Sequence, residues 1–133
     1  MKKELLLGAA YYLEYMPYDR LEEDLKLMKA AGFNVIRIAE STWSTWEPED
    51  NVFDFTLLDR MLDGAKKYDL QVIIGTPTYA VPAWLVKKHP QVLAETRNGR
   101  GLYGPRQIMD ITDPMFRFYG ERIIRKVIEH TAD

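Results

Sequence analysis

The stretch LLLGAAYYLEYMP, residues 5–17, decides what kind of α/β fold this chain can adopt. Leu5 to Ala10 is a short continuous apolar run, the pattern of a strand covered on both faces. A dinucleotide-binding fold would follow such a strand with a glycine-rich turn, because only glycines let the backbone approach a pyrophosphate. Here Gly8 stands alone and the turn is bulky and aromatic. A (β/α)8 barrel places long, side-chain-rich loops after the C-terminal ends of its strands, and that is the pattern repeated further along the chain.

The second strand is predicted over residues 33–39 and the third over 70–75. The loops after them, ESTWSTWEPEDN (40–51) and TPTYAVPAW (76–84), are again aromatic and polar. Helices fill the gaps between strands. Asp19 with Glu22 resembles a capping box, Leu21, Leu25 and Met28 recur at helical spacing, and Gly32 sits where a C-terminal glycine ends a helix. Asp54 or Thr56 starts a second helix with a stripe of Leu58, Met61, Leu62 and Ala65, running out near Tyr68-Asp69. Residues 76–113 form a long irregular region with one short helix around Ala83 to Lys88. Loops of that length in compact domains are functional or disordered, and the apolar content argues against disorder. Asp113 caps a third long helix with Pro114 at its first position, and Phe116, Tyr119 or Gly120, Ile123 and Val127 face inward. Parallel strands joined by right-handed crossovers follow from this order. The expected architecture is α/β: a partial TIM (β/α)8 barrel comprising about the first three βα units, one domain over residues 1–133, ending before strand 4.

Composition narrows the partners. The 18 basic and 20 acidic residues are interspersed, with a net charge of -2, so nucleic acid and anionic membrane surfaces are not expected partners. The opening MKKELLLGAAYY imitates a secretory leader, but Glu4 interrupts it and the apolar run is short. Hence the expected location is the cytoplasm. No run approaches the roughly 20 apolar residues of a membrane span. Without cysteine, and with only His89 and His130, no metal site is expected. His89 reads as a solvated loop residue, and His130 as a last-turn residue favoured by the helix dipole.

Two features carry chemistry. Strand alternation puts Ile36 and Ile38 on one face and sends Arg37 to the other, toward the barrel interior near its C-terminal mouth. A buried guanidinium requires a carboxylate partner, so Arg37 is either a structural ion-pair residue, with Glu40 or Glu47, or a site arginine orienting a reacting carboxylate. Trp43, Trp46, Trp84, Tyr11, Tyr12, Tyr79 and Tyr103 concentrate in the post-strand loops. They either pack those loops onto the barrel or present faces on which a sugar ring stacks. Trp43 is expected to shape such a cleft and Trp46 to pack its lip. Arg106, in GLYGPRQ, follows glycines and a proline that allow a tight fold over a cleft.

YYLEYMP, RIAESTWSTWEPEDNVFDFTLLDRML, TPTYAVPAWLVKKHP and the GPR segment together resemble the N-terminal portion of the glycoside hydrolase family 42 β-galactosidases, from about Leu7 onward. The resemblance implies hydrolysis of terminal β-D-galactosides with retention of configuration, by two carboxyl groups about 5 to 5.5 Å apart. It places the acid/base glutamate after the fourth barrel strand and the nucleophile after the seventh, so this chain is expected to contain no catalytic residue and to be inactive alone. No general acid/base work is expected from Glu40 or Glu47. Arg37 matches the arginine that supports the nucleophile and Arg106 one that contacts the sugar; both are expected to bind substrate, a β-galactoside or oligosaccharide. Trp43, Glu47 and Pro48 match a signature that looks like loop architecture. Ser41 replaces a phenylalanine common in the family. Asp110 stands where some members have a zinc-binding cysteine, so neither zinc nor any cofactor is implied here. The alternatives are another retaining β-glycosidase of the same clan, and a non-catalytic partial barrel that binds sugar or associates with copies of itself through unpaired sheet edges.

Overall fold

The computed structural model describes residues 5–104, 106 and 108–132. The opening lysines and Glu4, and Pro105 and Gln107 of the GLYGPRQ turn, lie outside the described residues. In chain order the elements are β1 (Gly8–Ala10), α1 (Leu21–Ala30), β2 (Val35–Ile38), α2 (Trp43–Trp46), α3 (Thr56–Lys67), β3 (Gln71–Ile74), α4 (Ala83–Lys88), β4 (Glu95–Thr96), β5 (Gly99–Arg100) and α5 (Pro114–Thr131). They fall into two compact units, Met1–Ala39 with Phe55–Gly75, and Glu40–Asp54 with Thr76–Asp133.

The first unit is a parallel sheet in the order β1-β2-β3. Its connecting helices α1 and α3 pack on each other, and Gly64 makes this possible, since a Cβ there would lie 2.8 Å from Leu25 Cδ1. Lys67 and Tyr68 also donate to the Glu22 carboxylate at 2.7 and 2.9 Å. Consecutive strand order with both crossover helices packed together is the winding of successive barrel units; a doubly wound sheet reverses order and divides its helices between two faces. Burial agrees: Ile36 and Ile38 are enclosed, whereas Arg37 and its in-register neighbours Ala10 and Ile73 are exposed.

The ends of these elements show which local signals operate. At the end of α1, Gly32 has φ 86°, and the Phe33 and Gly32 amides donate to Met28 and Lys29 at 3.0 Å each. This pair of reversed bonds satisfies the last helical carbonyls. After α3 the same pattern recurs without glycine: Asp69 takes φ 52°, with Leu70 N–H bonded to the Ala65 carbonyl at 2.9 Å. The capping box does not form. Asp19 lies inside a 3-10 turn, Tyr18–Arg20, so the residue preceding α1 is Arg20, whose guanidinium has no acceptor to offer the helix amides, and Glu22 is turned to Lys67 and Tyr68. The first strand also begins later than its apolar run predicts. Leu5, Leu6 and Leu7 are exposed, and Asn34 engages that segment with its side chain, accepting from Leu7 N–H and donating to the Leu5 carbonyl, each at 2.8 Å. Nor is β1 covered on both faces; all three residues are exposed.

In the second unit, α5 is capped as its sequence predicts, with Asp113 accepting from the Met115 and Phe116 amides at 2.8 and 3.0 Å. Its inward stripe is Phe116, Tyr119, Gly120, Ile123 and Val127. The region after β3 is more ordered than one helix: it contains 3-10 turns at Pro77–Tyr79 and Pro90–Val92, helix α4, and the two-stranded β4-β5 hairpin.

Candidate functional site

Arg37 lies on the exposed face of the first unit's sheet, bordering a hollow of about 260 Å³ formed with Leu6, Gly8, Ala9, Ala10, Val35 and Ile73. The hollow exists because β1 brings only glycine and alanine to that face. At the C-terminal end of β2, Ala39 is wholly buried with φ 84°. An L-residue held at positive φ costs on the order of 1–3 kcal/mol, and such strain clusters at functional sites. Arg37 is therefore a polar, exposed group beside a strained backbone at the strand end where barrel enzymes place their sites.

Arg106 belongs to the second unit. It is exposed, and its guanidinium carbon lies 5.8 Å from the centroid of Tyr79, in the 3-10 turn that follows β3. Tyr103 donates to the Val81 carbonyl at 3.2 Å. These contacts tie Tyr103 and Arg106 to the TPTYAV segment and present one cation with an aromatic face.

The tryptophans correct the sequence reading. Trp43 and Trp46 do not line a cleft: both are 0% exposed. They form α2, a four-residue helical turn. Trp43 packs against Phe116 with ring centroids 6.2 Å apart, and its indole N–H donates to Glu47 Oε2 at 2.9 Å. Trp84 is half-buried and donates to the Glu47 backbone carbonyl at 2.8 Å. His89 is likewise not a solvated loop residue; it is half-buried, with Nε2 3.3 Å from the Tyr119 hydroxyl. Asp110 closes a local turn, accepting from the Thr112 amide and hydroxyl at 2.8 and 2.6 Å.

Glu47 is the polar centre of this unit. Its carboxylate is 0% exposed and accepts from Trp43, the Asn51 amide at 3.0 Å and Arg122 Nη2. It is thus engaged by Arg122, a residue that sequence reasoning missed, and this corrects its candidacy as the partner of Arg37. The same Arg122 nitrogen donates to Asp50 Oδ1 at 2.8 Å, and Lys88 binds the other Asp50 oxygen. The guanidinium is further covered by the Tyr119 ring, 4.7 Å from its centroid.

Two carboxylates on one arginine invite comparison with a glycosidase acid pair, but the chemistry does not fit. A general acid needs a raised pKa and access to the glycosidic oxygen. Lys88 and Arg122 beside Asp50 instead hold its carboxyl below the usual carboxylate range. Glu47 has no exposed surface on which a sugar could be attacked. The cluster ties the ESTWSTWEPEDN loop to α4 and α5, as the signature reading predicts.

The sequence model of glycoside hydrolase family 42, described as beta-galactosidase, matches residues 10–133. A beta-galactosidase from Thermus thermophilus is 34% identical over 125 residues, covering 93% of this chain and 19% of the relative. One from Geobacillus kaustophilus is 36% identical over 123 residues, covering 92% and 18%. Among solved structures, the beta-galactosidase from the Antarctic haloarchaeon Halorubrum lacusprofundi superposes with TM-score 0.90 at 32% identity, over 97% of this chain and 20% of that one. The chain thus spans about a fifth of the length of the relatives it matches.

Proposed function

Since the chain belongs to glycoside hydrolase family 42, we propose that its residues form the first three βα units of the catalytic barrel of a retaining β-galactosidase, with Arg37 and Arg106 as substrate-binding residues. The acid/base and nucleophile glutamates of that reaction lie, in this reading, outside these 133 residues. The observation that carries it is the placement of Arg37 on the exposed face of β2, over the small residues of β1 and next to the strained Ala39. A guanidinium presents a planar set of donors suited to holding a carboxylate in one orientation. The task assigned to it is to orient the nucleophile carboxylate, while Arg106 donates to sugar hydroxyls beside the Tyr79 ring. A cytoplasmic location is part of the same proposal: Gly8 to Ala10 of the leader-like opening are paired in the sheet. Among the described residues no helix is long and apolar enough to cross a membrane.

The test is a graft. The purified 133-residue chain is assayed against nitrophenyl β-galactoside, and the same residues replace the matching segment of the Thermus thermophilus relative. The chain alone is expected to show no hydrolysis and the folded graft to show it. Arg37→Ala in the graft lowers kcat/KM on the order of 100-fold, as loss of a positioned charge-assisted donor does. Hydrolysis by the chain alone, or a folded Arg37→Ala graft as active as the unaltered one, defeats the proposal.

A further inference from the structure

Tyr103 is 50% exposed and has no task in the proposed reaction, yet its hydroxyl is committed, donating to the Val81 carbonyl at 3.2 Å. It stands three residues before Arg106, whose guanidinium carbon lies 5.8 Å from the centroid of Tyr79. Both side chains therefore reach the same short segment, residues 77–81. That segment is a firm base. It opens with the 3-10 turn Pro77–Tyr79, which packs against α5, and Pro77, Ala80 and Val81 are buried.

The backbone on either side of Tyr103 and Arg106 is held by one residue. The Gly101 amide donates to the Ala94 carbonyl and the Ala94 amide to the Ile108 carbonyl, each at 2.8 Å. Two bonds to a single residue act as a hinge: they fix the two ends and leave rotation about them. The Tyr103–Val81 bond lies off that hinge and removes the rotation. Arg106 itself is exposed, and a long side chain of that kind gives up much rotamer freedom when a ligand fixes it. The Tyr79 face narrows that freedom through a cation–π contact, whose strength depends on the distance at which Arg106 is carried over the ring.

We propose that Tyr103 is a positioning residue of the galactoside site: its bond to Val81 sets the placement of Arg106 over Tyr79 and so pre-orients the guanidinium for the sugar hydroxyls. Tyr103 has this task on the reading that Arg106 binds substrate. A phenylalanine supplies the same ring, so the hydroxyl carries the whole assignment. Sugar hydroxyls take no part in bond making at the anomeric carbon, and a donor to them serves bound substrate and transition state alike. Loss of such uniform binding falls on KM rather than kcat. A merely structural tyrosine behaves differently, since its loss lowers the folded fraction, and with it the apparent kcat, at unchanged KM.

The experiment is a double-mutant cycle in the graft of these residues into the Thermus thermophilus relative, with nitrophenyl β-galactoside as the probe. Arg106→Ala is expected to raise KM at least about tenfold, as removal of a charged donor does, and Tyr103→Phe about fivefold, the worth of one ordinary hydrogen bond. Both variants keep kcat. In the Arg106→Ala background Tyr103→Phe is expected to change KM no further, because the group it positions is gone. A second measurement needs no catalysis: in the 133-residue chain the Arg106 Nε–H resonance carries a ring-current shift that Tyr79→Leu removes and Tyr103→Phe reduces. Far-UV circular dichroism checks that each variant remains folded. An Arg106→Ala graft with unaltered KM defeats the substrate-binding reading of Arg106 and the role of Tyr103 with it. The role of Tyr103 alone is overturned by a KM that Arg106→Ala raises and Tyr103→Phe does not, by equal effects of Tyr103→Phe in both backgrounds, or by an Arg106 resonance indifferent to Tyr103→Phe.

Discussion

A methyl group on Gly8 would place its carbon 1.7 Å from the Val35 carbonyl oxygen and 2.8 Å from Val35 Cγ1. Backbone cannot yield as a side-chain tip does, so β1 would have to move away from β2. Gly8→Ala is accordingly expected to lower stability by about 2 kcal/mol, within the range for overpacking a tight site, read as a shift of the urea midpoint. An unchanged midpoint would mean the strands separate without penalty. In the second unit the comparable residue is Glu47. Removing its cation leaves a buried carboxylate supported by neutral donors only. Arg122→Ala is therefore expected to cost roughly 3 kcal/mol, and Arg122→Lys to recover only part, since an ammonium cannot serve Glu47 and Asp50 from a planar fork. Urea unfolding of the three proteins checks the order. Glu47 was half legible in the sequence: it follows Trp43 by four residues, the spacing at which helical side chains meet. Arg122 was not, because the pair is separated by 75 positions and nothing local links a loop glutamate to one arginine among many.

At the scale of elements, legibility tracked length. Helix α3 and helix α5 show their apolar stripes over 12 and 18 residues, long enough for a 3.6-residue period to stand out. The predicted inward face of α5 matches the observed burial; in α3 Leu58, Met61 and Ala65 are buried as predicted, but Leu62 is only half-buried and Gly64 takes its place against Leu25. Helix α2 spans four residues, barely one turn, so no period could reveal it. Its tryptophans were consequently placed on a cleft when they are core. The β4-β5 hairpin, two residues per strand, is equally invisible to alternation. Caps divided along a similar line. Asp113-Pro114 is readable because both residues act locally, whereas Asp19-Glu22 fails because a 3-10 turn, Tyr18–Arg20, moves the helix start past Asp19 and Glu22 is bound by Lys67 and Tyr68, 45 and 46 positions away. The contrast makes a prediction. Asp113→Ala is expected to cost about 1 kcal/mol by orphaning two amides at the start of α5, and Asp19→Ala to leave the unfolding midpoint essentially unchanged. A loss at Asp19 equal to that at Asp113 would restore the capping box.

For the whole molecule, the sequence conveyed the winding, since three apolar runs and three aromatic post-strand loops select barrel units over a nucleotide fold. It did not convey how charge couples distant segments, and that coupling governs the response to pH. Glu22 is held below the usual carboxylate range by Lys67 and Tyr68, Asp50 by Lys88 and Arg122, and Asp110 by the Thr112 hydroxyl and amide. A carboxyl whose folded pKa lies below its unfolded value binds fewer protons folded than unfolded. Its contribution is complete above the unfolded pKa, about 4, and is lost as pH falls through the folded pKa. On the alkaline side Lys67 is raised by Glu22 and Lys88 by Asp50, contributions present below their unfolded values and lost as pH rises through the folded ones. Burial, and then Asp24, push the Tyr11 hydroxyl upward as well, which adds to the alkaline loss. Stability is therefore expected to be flat from about pH 6 to 9 and to fall on both sides, followed as urea midpoints across the pH series. Because most of these groups are exposed, both limbs should be shallow and flatten further in 1 M salt. Asp50→Asn should lower the plateau and shrink the acid limb while leaving the position of the alkaline fall to Tyr11 and Lys67. A midpoint that rises as pH drops from 6 to 4 would show that these carboxylates are not held in their charged forms by the partners named here.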